Sequence, residues 1–95
     1  MRALIASKAV QEKLRTKHQV EMREVEQCFE NRLGEFLEDT REEHRSDPPT
    51  YWFVAPTNCD RLLKVVFIFL DGNVHIKTAF DANEAAIRLY DECGR

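Results

Sequence analysis

Glycine is scarce in this chain: 95 residues contain three, and they do not cluster. That excludes phosphate-binding loops and dinucleotide fingerprints, which need closely spaced glycines to bring backbone N–H groups up to a phosphate. Cysteine is equally sparse. Cys28, Cys59 and Cys93 form no C-x-x-C pair, and their odd count argues against a disulfide framework and for a reducing compartment. The histidines His18, His44 and His75 are scattered, and Cys59 has no ligand partner at zinc-type spacing, so neither a metal site nor a cofactor is expected. No apolar run approaches the ~18 residues of a membrane helix. The opening MRALIASKAV meets charge too soon for a signal peptide. A cytoplasmic protein without membrane contact is expected. A basic excess is also missing: the net charge is −3 and the pI near 5.6, so any RNA or anion site must be a local basic patch on an acidic body.

What is present is an ordinary globular balance, 43% hydrophobic and 33% charged, in one domain spanning 1–95. Its centre is Arg61–Phe80, RLLKVVFIFLDGNVHIKTAF. Two strand-like runs flank Asp71-Gly72, the signature of a hairpin with a two-residue type I′ turn. Strict pairing from that turn sets Phe69 opposite Val74, Phe67 opposite Ile76, Val65 opposite Thr78 and Leu63 opposite Phe80 on a core face, with Phe80 pointing inward. The other face then carries Lys64, Val66 and Ile68 beside His75, Lys77 and Ala79.

The remaining elements follow from local pattern. Arg2–Ala6 reads as a short strand, and Ser7 as the N-cap of a helix to about His18 in which Lys13 and Lys17 share a stripe. Glu21 and Glu24 suit the first turn of a second helix to about Asn31, with Val25, Cys28 and Phe29 as its buried stripe. Glu35–Asp39 is a weak strand. Thr40–Pro49 is a charged loop closed by two prolines, and Thr50–Ala55 is a strand. After the hairpin, Asp81 and Glu84 resemble a capping box opening a last helix, which Gly94 stops. The order β-α-α-β-β-β-β-α predicts an α+β fold: an antiparallel sheet of four to five strands with the helices on one face. The face left open bears Lys64, His75 and Lys77.

Candidate chemistry collects in two places. On the open sheet face, Lys64 and Lys77 offer fixed positive charge for a phosphate, and His75 can exchange a proton near neutral pH; solubilising surface lysines would look the same. In the loop, Glu43 and His44 could perform acid–base work if folded over the sheet, though a solvated loop has this composition too. Trp52 could stack on a base or fill a half-buried strand position. Lys13, Arg15, Lys17 and His18 make the first helix basic, which suits a partner surface or a nucleic-acid backbone.

The order of these segments resembles the BrnT-like branch of the RelE/ParE superfamily of small bacterial toxins. Lys17-His18-Gln19-Val20 and the following Glu24-Val25-Glu26 are similar to that family's K-H-G-V segment and acidic helix. Glu42-Glu43-His44 resembles its acidic, His-containing stretch. Arg61–Val66 and Ile76–Ala79, leading into a helix with Glu84 and Tyr90, resemble its later strands. The likeness spans about Lys8 to Tyr90. It implies a RelE-like fold, a metal-independent ribonuclease toxin of a type II toxin–antitoxin system, and an antitoxin partner. On this likeness Arg61, Lys64 and Lys77 fall where members place RNA-gripping cations. Where members often carry a basic residue after a small one, this chain has Ala79-Phe80. Close-looking proteins labelled ADP-ribosyl-(dinitrogen reductase) hydrolases suggest another activity, but no acidic metal-binding constellation supports it. The alternatives are a non-catalytic protein- or nucleic-acid-binding module on the same fold, and a small hydrolase using His44 and Glu43.

Overall fold

Asp71 and Gly72 both take positive φ, 52° and 79°, as a type I′ turn requires. The hairpin they close is in a computed structural model that describes residues 3–39 and 48–94. In chain order its elements are β1 (Leu4–Ile5), α1 (Lys8–Lys17), α2 (Met22–Asn31), β2 (Leu37–Glu38), β3 (Thr50–Pro56), β4 (Leu62–Leu70), β5 (Asn73–Asp81) and α3 (Glu84–Cys93). The α+β class and the element order are those expected. Glu43 and His44, in the Thr40–Pro49 segment, lie outside the described residues.

The strands form one five-stranded sheet, ordered β1-β5-β4-β3-β2. Pairings from β2 to β5 are antiparallel, but β1 lies parallel to β5, with Leu4 opposite Val74 and Ile5 opposite His75, so the sheet is mixed. Its inner face is built from Phe53, Leu63, Val65 and Phe67, all fully buried. Helix α2 places Phe29 on this face, with its ring centroid 4.7 Å from Phe53 and 5.5 Å from Phe67. Phe36 joins from the segment before β2, 4.8 Å from Phe67. Edge-to-face packing of this kind adds attraction beyond the area buried. Cys28 is a buried member of the same stripe, its thiol donating to the Ala55 carbonyl at 3.4 Å. Burial pushes that thiol's pKa up to about 12, with the Glu24 carboxylate adding to the rise, so it is inert packing.

The hairpin register departs from strict alternation. From the turn to Phe67 opposite Ile76 the pairing is as expected, but a bulge lies between Val66 and Phe67. Lys77 is the extra residue, so Val66 faces Thr78, Val65 faces Ala79, Lys64 faces Phe80 and Leu63 faces Asp81. Every position of β5 after the bulge is thereby shifted. Ala79, expected on the open face, is fully buried, and Phe80, expected in the core, is half-buried on the face of Lys64. The cause is the added residue, which an apolar–polar alternation does not encode.

Helix caps account for the remaining boundaries. Ser7 accepts from the Val10 N–H at 3.1 Å, as expected. Glu21 and Glu24 form a reciprocal capping box on α2. The cap of α3 is Asn83, accepting from Ala86 N–H at 2.8 Å, and not Asp81. Asp81 is still strand, and its carboxylate is held by Arg61. Tyr90 of α3 packs on Trp52, ring centroids 6.0 Å apart, and Trp52 points away from Phe53 by strand alternation. The helices therefore do not all share one face: α2 covers the inner side, while α3 packs on Trp52 at one end of the other. The buried Trp52 ring, on the face expected to be open, is what α3 covers.

Candidate functional site

On the outer face, between α1 and α3, two hollows meet and share Asp39, Trp52, Lys64 and Phe80 in their walls. The larger, about 720 Å³, runs along α3 past Leu37, Ala86 and Leu89. The smaller, about 330 Å³, is walled by Lys13, Thr50, Val66, Lys77 and Thr78. Together they make one groove across the sheet, mostly apolar along α3 apart from Glu38 at its edge, with three lysines at the α1 end and the Asp39 carboxylate in the wall of both hollows. The bulge shapes the floor of the cationic end. It turns Thr78 and Phe80 to this face and sets Lys77 beside them.

Lys64 stands at the waist. Its ammonium lies 4.5 Å from the Trp52 ring centroid, within cation–π range. Trp52 is only 6% exposed, so the ring is not an open platform for a base. Phe80 meets the groove with its ring 5.6 Å from that of His18, which follows α1. Three lysines from α1, β4 and β5 thus gather around a partly aromatic floor on a molecule of net negative charge.

The other sequence candidates are placed elsewhere. His75 pairs with Ile68 and Ile5 near the turn, four residues along β4 from Lys64, roughly 13 Å by strand geometry, and lines neither hollow. Lys17 ends α1, exposed and outside the groove. Lys13, one turn earlier on the same stripe, is the residue that reaches in, and the i, i+4 spacing was its only signal. Among the described residues, no group of three or more His, Cys, Asp or Glu is placed to hold a metal ion. None of their helices is long and apolar enough to cross a membrane.

Arg61 is committed to the scaffold. Its Nε donates to Asp81 Oδ1 at 2.7 Å and Nη2 to Asp81 Oδ2 at 3.2 Å. Its Nη1 donates to the Gln19 carbonyl at 2.7 Å and to Glu24 Oε2 at 3.3 Å, and Nη2 also donates to the His18 carbonyl at 2.9 Å. A guanidinium has five N–H donors, and all of them are used. The hydrogen bond from Arg61 is the main reason the Asp81 carboxyl is held below its ordinary range. Arg61 lines neither hollow. It staples the start of β4 and the end of β5 to the α1–α2 junction, leaving the groove to the lysines.

Compared with known proteins, the chain matches no family model, no curated protein and no solved structure.

Proposed function

We propose that this chain is an RNA-binding protein of the BrnT-like, RelE-type toxin class, and that the groove on its outer sheet face receives single-stranded RNA. The observation that carries the reading is the convergence of Lys13, Lys64 and Lys77 with Thr78 on one hollow floored by Phe80 and Trp52. Cations that track a phosphate backbone beside an accessible ring are the recurring solution for single-stranded nucleic acid, and here the half-buried Phe80 is that ring. The arm under α3, about 720 Å³, has the volume to take a base. The hydroxyls of Thr50 and Thr78 add neutral hydrogen-bonding groups to the walls.

Cleavage in this reading is metal-independent. The ribose 2′-oxygen forms a bond to phosphorus as the bond from phosphorus to the 5′-oxygen breaks, leaving a 2′,3′-cyclic phosphate and a 5′-hydroxyl. One group takes the 2′-hydroxyl proton and another returns a proton to the 5′-oxygen. The lysine ammoniums stabilise the charge that builds on the phosphate oxygens. Of the two histidines proposed for proton transfer, His75 stands outside the groove, so the reading assigns that step to His44. Synthesis of the protein without its neighbouring genes is expected to arrest bacterial growth with cleaved transcripts, and purified protein to bind a labelled single-stranded RNA. Normal growth, intact transcripts and no RNA binding at low salt would overturn the reading.

A second reading, RNA binding without cleavage, is favoured by one observation. Phe80 brings a ring to the groove at a position where the resembled family often carries a cation, and His75 stands outside it. RNA binding with intact transcripts selects this reading.

A further inference from the structure

We infer that Trp52 is a positioning residue, holding the Lys64 ammonium at the waist of the groove so that it meets an RNA phosphate. The inference rests on the functional reading above for the identity of the anion, but not for the contact itself. In the β3–β4 pairing Val54 stands directly opposite Lys64, and Trp52 lies two residues along, the diagonal neighbour that a long side chain reaches on the same face. The ammonium sits 4.5 Å from the ring centroid. A lysine side chain has four carbon–carbon links and many rotamers, and a ring face supplies one fixed point for its flexible stem.

The ring is itself immobilised. Trp52 is 6% exposed and backed by Tyr90 at 6.0 Å, and the Tyr90 hydroxyl donates to the Glu35 carbonyl at 2.8 Å. A chain of contacts therefore runs from α3 through Tyr90 and Trp52 to Lys64. Burial also rules out the alternative use of this tryptophan, since a base has no open face on which to stack. Both hollows have Trp52 and Lys64 in their walls, so the contact lies where the cationic and apolar arms join.

The chain holds a single tryptophan, so its emission reports the surroundings of this one ring. Removing the cation in Lys64→Met is expected to change the Trp52 emission of the ligand-free protein at unchanged circular dichroism. An unchanged spectrum would overturn the positioning role, whatever the protein binds. With a labelled single-stranded oligouridylate as probe, Trp52→Phe is expected to bind within threefold of the wild type. Trp52→Leu is expected to bind roughly tenfold more weakly, the scale of a desolvated cation–π contact. Combining Trp52→Leu with Lys64→Met should then add no further loss. Additive losses, or wild-type affinity in folded Trp52→Leu, would overturn the inference. Wild-type protein that ignores the probe would overturn the RNA reading alone, with the emission arm still deciding the contact.

Discussion

Arg61 grips Asp81 through two parallel contacts, Nε to Oδ1 at 2.7 Å and Nη2 to Oδ2 at 3.2 Å, and uses its remaining donors on Glu24 and the carbonyls of His18 and Gln19. Three segments distant in sequence meet at this one side chain. Replacing it by methionine keeps much of the stem but leaves two carbonyls and two carboxylates without their donor. Arg61→Met is expected to lower stability by about 2 kcal/mol, the sum of a few partly exposed charge-assisted bonds. Arg61→Lys should recover less than half of that, because an ammonium cannot reproduce the fork. Urea unfolding midpoints measure both, and an Arg61→Lys protein as stable as wild type would contradict the fork geometry.

The same pair sets an acid dependence. The Asp81 carboxyl is held below its ordinary value of 3.8, chiefly by the hydrogen bond from Arg61. A carboxyl with a folded-state pKa below its unfolded one contributes stability that is present above the unfolded value and lost as pH falls through the folded value. Part of the stability seen at neutral pH should therefore disappear below about pH 4. The Asp81 side chain is 70% exposed, which keeps the contribution small. Asp81→Asn should start less stable and show a shallower loss between about pH 5 and pH 3. Parallel acid profiles in the two proteins would show that the pair is not the titrating element.

Gln19 carries a strain that a single substitution can remove. It sits between α1 and α2 with φ of 54°, a left-handed conformation that side chains bearing a Cβ adopt at a cost. The backbone is fixed there because the Val20 N–H donates to the Leu14 carbonyl at 2.8 Å while Arg61 holds the two carbonyls beside it. Gln19→Gly is expected to raise stability by about 1 kcal/mol, despite the loss of an exposed side-chain bond to the Thr16 carbonyl. Gln19→Val, β-branched at the same φ, should lower it. Thermal unfolding of the two variants gives the sign directly.

Much of this molecule was legible in its sequence wherever the signal was local. Asp71-Gly72 gave the turn, Ser7 the first cap, and the Val25–Cys28–Phe29 stripe the inner face of α2. What escaped were features with no local signature. Lys77 looks like any strand lysine, yet its insertion as a bulge moves Ala79 inward and Phe80 outward. Asp81 three residues before the first residue of α3 resembles a cap, and only the fold reveals Arg61 as its partner. Trp52 read as a base platform because its type suggests one, whereas Tyr90 and Lys64 enclose it from elements far along the chain. Arg61 and Lys13 exchanged standing for the same reason. A charge count does not say whether a cation faces a groove or its own scaffold.

That distinction between scaffold and groove cations can be measured by salt. Each lysine that neutralises an RNA phosphate releases a counterion, and the affinity for single strands then falls with salt at about 0.7 log units per decade for each such contact. Lys13, Lys64 and Lys77 wall the groove, whereas Lys17 ends the same helix as Lys13 but lies outside it. Lys13→Met, Lys64→Met and Lys77→Met should each reduce the slope of log affinity against log salt by about 0.7, with a loss in affinity at low salt. Lys17→Met should leave that slope unchanged, although it removes the same formal charge. Binding titrations of one labelled oligouridylate at four or so salt concentrations are enough to separate the cases. Equal slope changes for all four lysines would mean that the protein's overall field attracts RNA, and the groove would lose its claim to the phosphates.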